Sequence, residues 1–342
     1  MASATHTEAV TVALVGFGHI ARAHVDALRG IPEVRVVGVC EITASKAEAA
    51  GAVLGVPGYF DLDRMLDDLR PDAVVVCTWT AGHFDSGRAA LEHGAHAFIE
   101  KPPTQRVAEA AALEEEARRR GLVVMYGYHG PIMLGDVQPH VEALGAIHRV
   151  STHWLRSPVA APLAGVTHQP TALDPPLRDL SHPMVTAMWL TGLWELTDVS
   201  ARMTARGSAS APAAHDVVEA LLGFGDARLH LRVATWGHFG VDEAVGIVVE
   251  GADGTLEIPY PTVRTTEPQP VLLRHGTRTP LDVVLLTERD ARAHQMATFI
   301  GAVRGQATPP VDHVRGRQIM KVLEAIDLAA SRPQAGTELA GA

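Results

Sequence analysis

Thr11-Val12-Ala13-Leu14-Val15-Gly16-Phe17-Gly18-His19-Ile20-Ala21 reads as a strand, a glycine turn and the first turn of a helix. The β-branched run ends at Gly16, and apolar positions then recur with helical spacing through Arg29. The turn has the form G-x-G-x-x-A. Gly16 permits the tight bend, Gly18 lets backbone approach a pyrophosphate, and Ala21 keeps the helix close to the strand. Such a helix start offers unpaired N–H groups and a positive dipole end to phosphates, with Phe17, His19 and Ile20 around it. Glu41 follows the next apolar run, 20 residues beyond Ala21. A carboxylate there accepts hydrogen bonds from ribose hydroxyls and repels a 2′-phosphate, which favours NAD over NADP. The alternative is a glycine turn that holds no ligand.

Outward from this stretch, the apolar runs Val34–Val39, Ala73–Cys77, Ala97–Ile99 and Leu122–Tyr126 alternate with helical patterns. Those patterns are Ala44–Leu54, Asp63–Leu69, His83–His93 and Val107–Arg120. Strands alternating with helices predict βαβ units and a doubly wound parallel sheet, a Rossmann domain over 9–127. The pattern changes near Tyr126. Helices are expected at Ile132–Leu144, His182–Leu190, Arg292–Val303 and Val314–Ala330. Between them lie strand-like runs at Ile147–Arg156, Asp198–Ala205, Val217–Phe224, Arg228–Thr235, Ala244–Glu250 and Thr255–Ile258. Gly225-Asp226 and Asp253-Gly254 mark hairpins. Residues 128–335 therefore read as an α/β domain with a mostly antiparallel sheet and helices on one face. With no flexible linker at the boundary, the two domains are expected to share a large interface.

Composition narrows the classes. The chain has 342 residues, 47% hydrophobic and 20% charged, with a formal net charge of −10. That length suits two domains, and the acidic balance argues against a binder of nucleic-acid backbone. Cys40 and Cys77 make no disulfide framework and read as buried small residues. The N-terminal residues lack a secretory pattern, and no apolar run spans a membrane, so the expected location is cytoplasmic. The 18 histidines are scattered without metal-ligand spacing, so no metal is expected. Only Lys46, Lys101 and Lys321 are lysines among 29 basic residues, so each lysine carries extra weight.

A second set of motifs accompanies the glycine turn: Cys77-Thr78-Trp79-Thr80, His83, and Glu100-Lys101-Pro102. With His24, Glu142–Val150, His182–Gly192 and the closing helices, it resembles the Gfo/Idh/MocA family of nicotinamide-dependent oxidoreductases. The resemblance covers nearly the whole chain. It implies cofactor across the strand C-termini, substrate between the domains, and an open C-terminal sheet that mediates a homodimer or homotetramer. It implies cofactor contacts at Thr78, Trp79, His83, Glu100, Lys101 and Pro102.

Oxidising an alcohol requires loss of a hydride to nicotinamide and of the hydroxyl proton to a base. A base with a pKa near working pH suits the second event, which makes histidine a natural choice. By the resemblance His182 is that base, and Lys101 is the cation beside the substrate oxygen. The family places an Asp four residues before the His. Here Arg178 holds that position and Asp179 lies three before, without the family's glycines. Positions three and four back share a helix face, so either Asp179 orients His182 or holds the hydroxyl, or Arg178 contacts an anionic substrate. Tyr128 and His129 follow the last Rossmann strand, where the family often has a basic-aromatic cluster; Gly130-Pro131-Ile132 replaces its continuation. Trp154, Arg156, Trp236 and His238 either face the cleft or serve core and subunit contacts. The implied activity is NAD-dependent oxidation or reduction at a secondary carbon of a small polar substrate: a sugar, a cyclitol or an amino sugar. The alternatives are an NADP-dependent keto-sugar reductase and a non-catalytic dinucleotide sensor.

Overall fold

The computed structural model describes residues 9–156, 175–204, 217–235, 244–260 and 269–331, apart from the side chains of a few residues at segment ends. The first domain runs β1 (Val10–Val15), α1 (His19–Arg29), β2 (Val34–Cys40), α2 (Ala44–Leu54), β3 (Gly58–Tyr59), α3 (Leu62–Leu69) and β4 (Ala73–Val76). It continues α4 (His83–Glu92), β5 (His96–Ile99), α5 (Val107–Arg120) and β6 (Val124–Tyr126). All its strand pairs are parallel, in the order β3-β2-β1-β4-β5-β6. The strand order reverses between β1 and β4, which opens a crevice at the strand C-termini.

Alternation along β1 shows why this sheet needs cover on both faces. Val12 and Leu14 point to one side, into a cluster with Val25 and Leu28 of α1. Ala13 and Val15 point to the other, among Met65, Leu66, Leu91 and Leu113 of α3, α4 and α5. Cys40 and Cys77 are free and buried.

After β6 come α6 (Gly130–Met133), α7 (Gln138–Glu142), β7 (Ile147–Arg156), α8 (Pro175–Thr191), β8 (Asp198–Thr204), β9 (Val217–Phe224) and β10 (Ala227–Thr235). Then follow β11 (Ala244–Gly251), β12 (Gly254–Pro259), β13 (Val271–Arg274), β14 (Thr277–Pro280), α9 (Glu288–Val303) and α10 (His313–Ala330). These strands form an eight-stranded sheet, β14-β13-β12-β11-β7-β10-β9-β8, antiparallel except for the β10–β7 pair. Its buried face carries Val150, Leu229, Leu231, Val233 and Val249 against Met184, Val185 and Met188 of α8. The opposite face carries the ion pairs Arg149–Glu250, Arg202–Glu219, Arg232–Glu219 and Arg278–Glu257. Among the described residues no helix is long and apolar enough to cross a membrane.

Three expectations are corrected here. The single helix over 132–144 instead starts at Gly130 and is broken into α6, a 3-10 turn and α7, because Gly135 and Pro139 interrupt it. The helix around His182 begins earlier, at Pro175, and tolerates Pro183. The second hairpin turns at Ala252-Asp253 and places Gly254 in the ladder opposite Gly251.

The closing helices return to the first domain. Met296, Phe299 and Ile300 of α9 join the core beside α1. α10 packs on α5, with Arg317 paired to Glu114. The backbone just before α10 covers the free edge of β6: Tyr126 N–H donates to Val311 O at 2.9 Å. Gly316 of α10 lies flat against the buried Tyr126 ring, where an added Cβ would fall 2.0 Å from Cε2. Ala is the better helix former by about 1 kcal/mol. Gly316→Ala is nonetheless expected to lower stability by about 1–3 kcal/mol, the usual cost of overpacking, read as a lower denaturation midpoint at unchanged m-value.

Candidate active site

The glycine turn sits at the crevice. Gly16 has φ +84°, and a Cβ there would meet Cys77 O at 2.9 Å, so this position requires glycine. At Gly18 a Cβ would meet nothing within 4 Å. That open space lies at the N-terminus of α1, whose cap makes no side-chain hydrogen bond and whose first turn holds no acid. The arrangement fits a dinucleotide pyrophosphate: an open cradle beside uncapped N–H groups. Arg22 stacks on the Phe17 ring at 4.5 Å, and His19 is exposed. Glu41 Oε1 accepts from Phe17 N–H at 2.6 Å, and Oε2 accepts from Ile42 N–H at 3.2 Å. The carboxylate is thereby held at the end of β2 beside the turn.

The second strand pair supplies the other wall. Glu100 ends β5 in a buried position. Its Oε1 is 2.8 Å from His24 Nε2 of α1, and its Oε2 accepts from Lys101 N–H at 3.0 Å. Burial alone would raise the Glu100 pKa. The His24 hydrogen bond and charge, then Lys101, outweigh burial and pull it down to about 2. The backbone of Lys101 is fixed in this way, and its side chain is only half-buried. His83 is enclosed at the start of α4. Its Nδ1 lies 2.8 Å from Pro102 O and its Nε2 3.1 Å from Thr78 O. The ring thus ties the turn after β4 to the Glu100-Lys101-Pro102 turn and lies behind the surface a cofactor would touch. Burial lowers its pKa.

The second domain brings His182. On α8 its ring stacks on Trp154 of β7 at 6.2 Å and 10°, and meets Tyr128 edge-on at 5.7 Å. His129 lies 4.9 Å away. Tyr260 packs on Trp154 at 4.8 Å. The Tyr128 hydroxyl lies against Ser181, and burial raises its pKa, so the phenol stays neutral. Burial pushes the His129 pKa down to about 4, opposed by Glu288 and Glu100 and aided by Arg292 and Lys101. His129 packs on His182 and lies 3.8 Å from the Glu288 carboxylate.

Four of the sequence candidates, Tyr128, His129, Trp154 and His182, thus form one cluster, and the Lys101 charge reaches His129 within it. The side chains of Arg156, Arg178 and Asp179 lie outside the described residues, as do Trp236 and His238. The backbone of α8 places Arg178 and Asp179 one turn before His182. Sequence reading missed Tyr260, Glu288 and Arg292, which no motif marks. It also missed Ile42 and Phe60, which are 76% and 65% exposed beside Glu41. Their signal was an apolar residue within two positions of each of two neighbouring strand ends. Trp79 is exposed at the crevice as well.

The fold joins a Rossmann-type parallel sheet to a second, mostly antiparallel sheet that carries an imidazole-aromatic cluster. Residues 10–128 match the GFO_IDH_MocA model, described as an oxidoreductase family with an NAD-binding Rossmann fold. D-glucoside 3-dehydrogenase of Escherichia coli K12 is 29% identical over 209 residues, 59% of each chain. UDP-N-acetylglucosamine 3-dehydrogenase of Acidithiobacillus ferrooxidans is 30% identical over 190 residues, 55% of this chain and 56% of that enzyme. The chain thus aligns with less than two thirds of these relatives' length. A solved structure of the latter enzyme shares the fold at a TM-score of 0.77 and 22% identity, covering 94% of this chain and 98% of its own.

The buried groups dictate an acid-sensitive fold. His83 and His129 are held neutral when folded, so the unfolded chain binds more protons once pH drops below the ordinary histidine value of about 6.5. Stability then falls with falling pH. The Glu100 carboxylate adds a second loss below about 4.5, the ordinary range for Glu, continuing to about 2. His129→Gln is expected to flatten the stability profile between about 6.5 and 4, measured by denaturant unfolding at fixed ionic strength. An unchanged slope there would show that His129 is not held neutral.

Proposed function

We propose that the protein is an NAD-dependent oxidoreductase that interconverts a secondary alcohol and a ketone on a sugar, cyclitol or amino-sugar derivative. The observation that carries this reading is the His182 ring set among His129, Tyr128 and Trp154 in a chain whose glycine turn is held beside the Glu41 carboxylate. The backbone N–H groups around Gly18 hold the pyrophosphate. Glu41 takes the adenosine ribose hydroxyls and disfavours a 2′-phosphate. Ile42 and Phe60 offer apolar surface to the adenine. Thr78, Trp79 and the Lys101-Pro102 turn, clasped by His83, border the nicotinamide side.

When bound, NAD supplies the hydride acceptor at nicotinamide C4. His182 removes the hydroxyl proton, since imidazole titrates near neutral pH. The Lys101 ammonium stabilises negative charge developing on the oxygen. Trp154, Tyr128 and Tyr260 give an aromatic wall against which the C–H face of a ring substrate packs. Asp179 or Arg178 completes the polar contacts. The relatives named for D-glucoside and UDP-N-acetylglucosamine support a sugar substrate. The open face of the second sheet serves assembly into a homodimer or homotetramer in the cytoplasm.

The first test pairs thermal-shift titration of cofactor-free protein with NAD, NADH and NADP with a panel of D-glucosides, UDP-N-acetylglucosamine and inositols. Reduced-nicotinamide absorbance reports turnover. NAD and NADH are expected to stabilise more than NADP, and no shift with any of them would overturn the reading. Glu41→Ala is expected to weaken NAD while NADP holds or tightens. His182→Ala is expected to lower kcat by about 10²–10⁴-fold at nearly unchanged NAD affinity. Turnover near wild type would remove His182 as the base.

A further inference from the structure

His129 touches groups on two elements of the second domain: the candidate base on α8, and on α9 a carboxylate that the proposed chemistry leaves idle. Its ring lies 4.9 Å from that of His182, with planes 48° apart. Its Nε2 lies 3.8 Å from Glu288 Oε1 on α9. The second Glu288 oxygen is 3.3 Å from Arg292 Nη2, one helical turn on. Side-chain exposure rises along this row, from 10% at His129 to 36% at Glu288. A buried imidazole therefore stands between the candidate base and a carboxylate that reaches water.

We propose that His129 and Glu288 are the outlet for the proton that His182 takes from the substrate hydroxyl. The proposal rests on the reading of His182 as base. Substrate and cofactor would close His182 off from solvent, so its proton needs a way out before the next turnover. A neutral imidazole suits such a relay, because it accepts a proton on one nitrogen and releases one from the other. The N–H bond on His182 breaks as the other ring nitrogen of His129 is protonated. His129 gives its Nε2 proton to Glu288, and Glu288 gives it to water. The gaps call for a small ring rotation or one bridging water. No electron moves in these steps, because the electron pair has already left with the hydride.

The groups around His129 keep it a conduit and prevent it from becoming a trap. His182 faces it from α8, Glu100 and Lys101 act on it from the end of β5, and Glu288 and Arg292 from α9. Burial dominates this balance and holds the ring neutral near pH 7. Arg292 fixes Glu288 where it can receive the proton.

The test has two arms. The first needs no substrate: ¹⁵N NMR of the histidine rings in the full chain, titrated from pH 3 to 8. Glu288→Gln is expected to move the His129 midpoint downward, because a favourable carboxylate is lost, and His182→Gln is expected to move it as well. If neither variant moves it, the three groups share no proton and the proposal fails. The second arm uses the panel sugar or cyclitol that the wild type turns over. His129→Gln and Glu288→Gln are expected to lower kcat roughly 10-fold, less than the loss of a general base. NAD affinity should hold, the pH profile should change, and added imidazole buffer should restore rate. A fall that buffer does not restore, with the profile unmoved, would mark a structural role and overturn the outlet. A wild type inactive on the whole panel would count against the proposed function, and the NMR arm would still decide the proton path.

Discussion

Glu100 sits where the cofactor helix, the last turns of the parallel sheet and the domain crossing meet. One of its oxygens binds His24 of α1 and the other binds the Lys101 backbone. A Cβ on Gly127, where the chain leaves β6, would come within 3.0 Å of the carboxyl group. Burying a carboxylate costs several kcal/mol, and hydrogen bonding offsets that cost only when the geometry is good. His24 meets this condition from a helix whose N-terminus borders the glycine turn. The same contact therefore ties the helix after the glycine turn to the backbone of the candidate catalytic lysine. His83 adds a second clasp from the neighbouring strand, through Thr78 and Pro102.

Much of this was legible in the sequence, for identifiable reasons. Parallel strands buried on both faces appear as apolar runs, and the helices between them show a different period, so the first domain could be laid out element by element. Gly16 and Glu41 were legible because a positive φ against Cys77 O and an acid at the next strand end are local requirements. The return of α9 and α10 onto the first domain was not legible. Their apolar faces specify burial but not the partner, and Met296 and Phe299 look the same whichever sheet they cover. Glu288 and Arg292 were missed for a related reason. A charged pair four residues apart on a helix ordinarily reads as a solvated face. Only the tertiary fold sets it against His129.

The break in the helix after His129 has a steric reason. A straight helix through 130–144 would carry a side chain at position 130. There a Cβ would fall 1.9 Å from Thr186 Oγ1 of α8 and 3.0 Å from the Tyr260 hydroxyl. Glycine at 130 lets the short α6 lie directly on α8. Thr186 itself donates to the His182 carbonyl at 2.8 Å, so the surface that α6 presses against is part of the support for His182. Pro131 then starts the turn with a preset φ and no N–H to satisfy. Gly130-Pro131 gives this segment a close backbone approach to α8. That approach is what brings the imidazoles of His129 and His182 to neighbouring positions in the pocket.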